Sequence, residues 1–239
     1  MTDVFPCAPR PRIPVRGGGF FPVRRIYCVG RNFADHAREM GAAVPVSRDD
    51  RGQPVFFLKP ADAIVIDGIV PYPLGTRDLH HEVELVVALG NDAPPGLIDR
   101  ASAEALIFGY GIGLDLTRRD LQAAAKAKGL PWDIGKAFDH SAPVSSLLRA
   151  ADVGELPTRT LSLQVNGDTR QSAPLSDLIW DVPDILHELS KLYALGAGDL
   201  VFMGTPAGVA ALQVGDTFVA ALDDIIELRG KVVPALGTV

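Results

Sequence analysis

Asp78-Leu79-His80-His81-Glu82-Val83-Glu84-Leu85-Val86-Val87-Ala88-Leu89 is an apolar run that carries two acids one residue apart. Read as a strand, it alternates its side chains between two faces, so Glu82 and Glu84 share one of them. Two close carboxylates resist joint ionisation, and an interior strand holds such a pair when a cation neutralises it. Further along, Asp115 lies in a second strand-like run, Gly113-Leu114-Asp115-Leu116-Thr117. Three carboxylates on two strands form an all-oxygen donor set for a hard divalent cation, suited to magnesium, manganese or calcium and not to zinc. The set leaves positions for water or for a chelating 2-oxo acid. The competing reading is a solvated strand edge with a separate Asp acting as a cap; the apolar neighbours of each acid argue against it.

Outward from this stretch, the chain reads as β-rich α+β with a few short helices. The 239 residues include 24 Gly and 19 Pro, which implies many turns, and the 47% hydrophobic fraction supplies an ample core. Residues 1–22 hold Pro6, Pro9, Pro11, Pro14 and Pro22 around Gly17-Gly18-Gly19, the composition of an extended surface arm. Arg25–Gly30 and Val55–Leu58 read as strands. Between them Asn32 and Asp35 open a short helix that Gly41 closes after Met40, and a punctuated, mobile loop runs from Gly41 to Pro54. Residues 80–89 read as one strand, Ala101–Phe108 as a short helix, and Tyr110–Leu116 as a strand. Thr117 with Asp120 then looks like a capping box for a helix ending at Gly129. Thr160–Val165, Leu200–Met203, Phe218–Leu222 and Ile225–Val233 are β-type runs, with Asn166-Gly167 as a turn. A helix from Pro183 to Leu195 interrupts them, with Ile185, Leu186, Leu189 and Leu192 on its buried face.

Composition also excludes classes. A net charge of −6 and no basic cluster interleaved with aromatics leave nucleic acid little to hold. Two cysteines, Cys7 and Cys28, make neither a disulfide framework nor a metal-type spacing, so the expected setting is a reducing cytoplasm. The chain has no apolar run long enough to span a bilayer and no export-type start, which gives the expectation of a soluble, cytoplasmic protein with no membrane partner.

His36 and Glu39, three apart on one helix, allow a carboxylate to orient an imidazole as a base for water; an exposed polar face beside Asp35 and Arg38 is the alternative. Lys59 and Lys136 are candidates for neutralising an anionic substrate. Gly109-x-Gly111-x-Gly113 is followed by no phosphate-binding βα turn, which excludes a dinucleotide site. His80 and His81 face opposite ways on a strand, so one at most looks into the site.

Taken together, several segments resemble the fumarylacetoacetate hydrolase family, whose members cleave, isomerise, hydrate or decarboxylate 2-oxo acids with a divalent metal. They are Tyr27-Cys28-Val29-Gly30-Arg31-Asn32-Phe33-Ala34-Asp35-His36, Phe57-Leu58-Lys59-Pro60, His80-His81-Glu82-Val83-Glu84-Leu85, Gly113-Leu114-Asp115-Leu116-Thr117-Arg118-Arg119-Asp120-Leu121-Gln122, Gly129-Leu130-Pro131-Trp132 with Lys136-Ala137-Phe138-Asp139, and Gly204-Thr205-Pro206-x-Gly208-Val209. The resemblance implies a mixed β-sandwich roll, with a lid-bearing segment at 23–70, a catalytic domain at 71–239, and a homodimer. It implies Glu82, Glu84 and Asp115 as ligands of a divalent metal, Mg2+ foremost with Mn2+ or Ca2+ as alternatives, and His36, Glu39 and Lys136 as catalytic residues. Arg119, Gln122, Thr205 and Lys59 are its substrate-binding positions. Phe33 and Leu116 depart from the family's frequent Tyr and Met. Within the family the chain is most similar to fumarylpyruvate hydrolases of gentisate-type aromatic catabolism, especially in Phe21–Tyr27 and Phe138–Pro143. Open alternatives are acylpyruvate hydrolysis or oxaloacetate decarboxylation, isomerisation or hydration of an unsaturated dioic 2-oxo acid, and a non-enzymatic β module with structural calcium. Which residue binds a distal carboxylate is open; Arg24, Arg25 and Arg31 are the guesses.

Overall fold

The Val83–Leu89 strand is buried along its whole length because it lies inside a six-stranded sheet. The strand order is Leu148–Arg149, Ile107–Leu114, Val83–Leu89, Asp199–Phe202, Arg25–Gly30, Val55–Lys59, antiparallel throughout except where Asp199–Phe202 runs parallel to Arg25–Gly30. The computed structural model describes residues 4–39, 41, 44–47, 49–235 and 237. Met40 and parts of the 41–54 loop lie outside them.

Alternation sends the two faces of this sheet into two different cores. Val83, Leu85, Val87 and Leu89 join one cluster with Tyr27, Val29, Ile112 and Val201, while Val86 and Ala88 join another with Ile26, Cys28, Leu200 and Phe202. The first cluster is closed by a five-stranded sheet ordered Asp168–Pro174, Thr160–Val165, Thr217–Leu222, Ile226–Val233, Ile69–Pro71. Its Leu161, Leu163, Val165, Phe218, Ala220 and Leu222 face inward, giving the sandwich. The architecture is strand-rich α+β, as the sequence implies.

The second face is covered by backbone at close range. At Gly109 a Cβ would stand 2.2 Å from the Leu148 carbonyl oxygen, and at Gly113 2.9 Å from that of Pro143. The Gly109-x-Gly111-x-Gly113 pattern is therefore the flat side of a strand on which the 142–149 segment lies. Outside that segment the N-terminal chain is not wholly an extended surface arm. Arg12–Pro14 and Phe20–Pro22 pair as a hairpin, and Ile13, Val15, Phe21 and Val23 are buried in the second cluster. The alternating Ile13, Val15 and Phe21, Val23 outweigh the prolines, which fit an edge hairpin. Arg25–Gly30 and Val55–Lys59 complete the large sheet and Ile69–Pro71 the second one.

Other boundaries move for local reasons. The Ala101–Phe108 helix is Arg100–Glu104, with Asp99 as cap accepting from Ser102 N, and Ile107 already belongs to a strand. Thr117 does not cap a helix; Thr117–Arg118 pairs with Leu79–His81, and Asp120 accepts instead from Thr76 and Arg77. The later helix spans Val182–Ser190 behind an Asp181 cap, so Leu192, placed beyond its end, is 64% exposed. Asp168–Pro174 is a strand that the sequence pattern misses, because it is polar and largely exposed at a sheet edge.

Candidate metal centre

The acidic stretch is two strands, not one. Leu79–His81 pairs with Thr117–Arg118 and Ala210–Leu212 in a small three-stranded sheet, whereas Val83–Leu89 belongs to the large one. Glu82 sits in the break between the sheets, and its carbonyl accepts from Asp115 N at 2.8 Å, just beyond the end of the Ile107–Leu114 strand. The break does not separate the acids. Oxygens of Glu82, Glu84 and Asp115 lie within 4.8 Å of one another, all buried.

Cationic side chains hold this group from two sides. Lys136, from the short Asp133–Lys136 helix, donates from Nζ to Glu82 Oε2 at 2.6 Å and to Asp115 Oδ2 at 2.5 Å. Arg119 donates to Glu82 Oε1 and, at 2.6 Å, to Gln122 Oε1. Lys59 is fully buried beneath Asp115: its Nζ donates to the Leu116 and Lys136 carbonyls and lies 2.9 Å from Asp115 Oδ1. Lys59 thus stands under the carboxylates and outside the cavity lining, whereas Arg119, Gln122, Lys136 and Thr205 belong to that lining.

The electrostatics are uneven. Burial pushes the Glu82 carboxyl up, but the Lys136 and Arg119 charges outweigh it and hold it well below the usual range. Burial pulls Lys136 down, and Asp115 and Glu82 more than reverse that. Glu84 goes the other way: burial, then Asp115 and Glu82, raise it well above the ordinary carboxylate range, against the Lys136 charge and a bond donated by Gly204 N at 2.7 Å. Asp115 Oδ1 accepts no aligned hydrogen bond despite being buried. A third acid whose ionisation is disfavoured by its neighbours, and a buried carboxylate oxygen without an aligned donor, in a hard-oxygen donor set, fit a divalent cation held by Glu82, Glu84 and Asp115.

The His36–Glu39 pair lies over the same cavity. On the Ala34–Glu39 helix, His36 Nδ1 is 3.2 Å from Glu39 Oε2, which leaves Nε2 unoccupied by that contact; Glu39 Oε1 accepts from Gly208 N at 3.3 Å. Asn32 locks this helix to the sheet, donating to the Trp180 and Met203 carbonyls at 3.0 and 2.7 Å and accepting from Trp180 N at 2.8 Å. The cavity is narrow and opens to solvent; its free space, the open mouth included, is about 390 Å3.

Both histidines next to Glu82 serve this site, each on its own side of the strand. His80 Nε2 meets Asp78 Oδ1 at 2.8 Å and its Nδ1 faces Arg119 Nε at 3.4 Å, while burial, then the Arg119 charge, lower its pKa. His81 Nδ1 meets Gln171 Oε1 at 2.9 Å, and Gln171 Nε2 donates to Thr205 Oγ1 at 2.8 Å. Gln171, on the overlooked polar strand, is the residue that sequence reasoning had no signal for. Arg24 and Arg25 are far from this chemistry, both pinned to Asp199 at the opposite end of their strand. Arg31 does line the cavity.

Residues 25–233 match the family model described as "Fumarylacetoacetate (FAA) hydrolase C-terminal". The fumarylpyruvate hydrolase from Pseudomonas aeruginosa, solved in complex with Mn2+ and pyruvate, is 43% identical and superposes with a TM-score of 0.89, covering 98% of this chain and 100% of that one. Oxaloacetate tautomerase YcgM of Escherichia coli (strain K12) is 40% identical over 208 residues, 85% of this chain and 90% of that protein. The mitochondrial oxaloacetate tautomerase FAHD1 of Rattus norvegicus is 40% identical over 210 residues, 87% of this chain and 91% of that protein. No helix among the described residues is long and apolar enough to cross a membrane.

Proposed function

Since the chain belongs to the fumarylacetoacetate hydrolase family of enzymes, we propose that it hydrolyses a carbon–carbon bond of an acylpyruvate, fumarylpyruvate above all, to pyruvate and fumarate. The observation that carries this reading is the convergence, over one open cavity, of a cation-demanding carboxylate triad and an oriented imidazole. A divalent cation bound by Glu82, Glu84 and Asp115, with Mg2+ or Mn2+ as the working choice, supplies charge stabilisation for the 2-oxo acid head and its developing enolate.

This chain's own residues account for the rest. Glu39 fixes the imidazole through Nδ1, so His36 Nε2 takes a proton from water. The hydroxide adds to the acyl ketone carbon. Its bond to the pyruvyl methylene then breaks, the electron pair leaving as the enolate and the acyl group departing as a carboxylic acid. Proton return to the methylene carbon yields pyruvate. Lys136, already donating into the triad, places a positive charge beside the enolate oxygen. Arg119 and Gln122, tied to each other, and Thr205, steadied by Gln171, hold the substrate's polar atoms. Lys59 acts from below, fixing Asp115 and the Lys136 carbonyl.

Similarity to the oxaloacetate tautomerases favours a second reading of the same site, keto–enol tautomerisation of oxaloacetate, in which His36 moves a proton and no water attacks. Product analysis separates the two: hydrolysis gives two acids from one, tautomerisation leaves the mass unchanged. The metal-loaded enzyme is expected to split fumarylpyruvate, and His36→Ala to lower that rate about 100–10,000-fold. Oxaloacetate tautomerisation without acylpyruvate cleavage would replace the hydrolase reading.

A further inference from the structure

The Arg119–Ala127 helix offers the cavity one face, and Arg119 and Gln122 lie on it. The next residue on that face, at i+7 from Arg119, is Lys126, and it lines the same cavity. Its position distinguishes it from the other cations there. Arg119 and Lys136 are bound to Glu82, and Lys136 and Lys59 to Asp115. Lys126 makes no ion pair among the described residues; its ammonium stands 5.5 Å from the Trp132 ring centroid. Arg31, half-buried on the same wall, makes none either, and it is held there by left-handed backbone with φ of 59° beside the anchored Asn32.

The triad therefore confronts five cationic side chains, Arg31, Lys59, Arg119, Lys126 and Lys136, and a divalent cation on the triad widens the excess. Burial, followed by repulsion from Arg31 and Arg119, pulls the Lys126 pKa down, as expected for a cation lacking a counter-charge. The missing charge must come with the ligand. Along the helix, Lys126 stands about 10 Å beyond Arg119, where it meets the far end of an extended molecule, away from the 2-oxo acid head.

Resting on the acylpyruvate reading above, we propose that Lys126 is a specificity-determining residue that binds the terminal carboxylate of a dicarboxylic acylpyruvate, with Arg31 adding to the attracting field. The wall then selects substrates with a carboxylate at each end. Two substrates test it with the Mn2+-loaded enzyme: fumarylpyruvate, which has the second carboxylate, and acetylpyruvate, which lacks it. Lys126→Met is expected to lower the ratio of their kcat/KM values, diacid over monoacid, about 10–100-fold, chiefly through KM, and Lys126→Arg to restore most of it. An unchanged ratio, or equal losses on both substrates, overturns the proposal. Failure of the acylpyruvate reading looks different, because wild-type protein would then turn over neither compound. Calorimetric titration of the two uncleaved acids then decides: selective weakening of the diacid in Lys126→Met upholds the role of Lys126, and equal affinities overturn it.

Discussion

The Arg25–Gly30 strand has a buried acidic group at each end, and the two groups are built differently. At its start, Asp199 is completely buried and accepts from Arg24 at 3.3 Å, from Arg25 at 3.2 and 3.1 Å, and from Gly196 N at 3.0 Å. Both oxygens are filled, and the guanidinium groups keep about a third of their surface in solvent. At its end, three acids share one cavity: Glu84 accepts one bond, from Gly204 N, Asp115 Oδ1 none that is aligned, and Lys126 and Arg31 on the cavity wall make no ion pair among the described residues. A completed ionic cluster holds chain segments together, whereas one left short of a counter-charge on both signs is prepared for ions that are not part of the chain.

Removing a carboxylate from each end sharpens this contrast most. Asp115→Ala, or Glu82→Ala, is expected to cut turnover at least about 1,000-fold, because the electrostatic stabilisation of the transition state is lost. Metal affinity, read by calorimetry, should fall with it. Turnover that survives in either variant without bound metal would show that the triad is not the reactive centre. Asp199→Asn is expected to leave kcat unchanged and to cost about 1–3 kcal/mol of stability, below the value for a fully buried pair because Arg24 and Arg25 rehydrate. For a domain of this size each kcal/mol lowers Tm by roughly 2–4 °C. A variant with intact Tm and impaired kcat would reverse the roles assigned to the two ends.

The end that faces the cavity is far easier to read from sequence than the Asp199 end, and the reason is physical. Glu82, Glu84 and Asp115 contradict their apolar surroundings, so each is conspicuous without a structure, and the fold class follows from the alternating runs around them. The inference that both glutamates share one strand face was nevertheless too simple: the chain changes sheets at Glu82, and the acids meet because Asp115 N is hydrogen-bonded to the Glu82 carbonyl. Asp199 precedes an ordinary apolar strand, and nothing nearby in sequence announces the two arginines 174 and 175 positions away. Gln171 was hidden in a polar edge strand with no hydrophobic period. Lys126 was within reach of sequence reasoning, since it repeats the helical spacing of Arg119 and Gln122, but it falls on the cavity face only once the helix is seen to begin at Arg119. The buried hairpin at 12–22 was obscured by its prolines, which suit an edge strand as well as an extended arm.

The smallest effect tests the incompleteness of the triad directly, without any substrate. In the metal-free protein Glu84 is raised above the range in which it ionises in the unfolded chain, by burial and by its two acidic neighbours. Between those two values the folded state binds a proton that the unfolded state has released, so this group's contribution to stability is complete in acid and is lost as pH rises toward the higher value. The slope is at most about 1.4 kcal/mol per pH unit for one proton. A divalent cation competes with that proton, so metal binding should release it, and the gain in Tm on adding Mn2+ should grow with pH. Glu84→Gln removes the titrating group while keeping the amide's volume, and it is expected to flatten the metal-free stability profile relative to wild type. Wild-type and Glu84→Gln curves of equal slope would mean that the third acid is already satisfied within the chain, and the distinction between the two ends of the strand would fail where it is most specific.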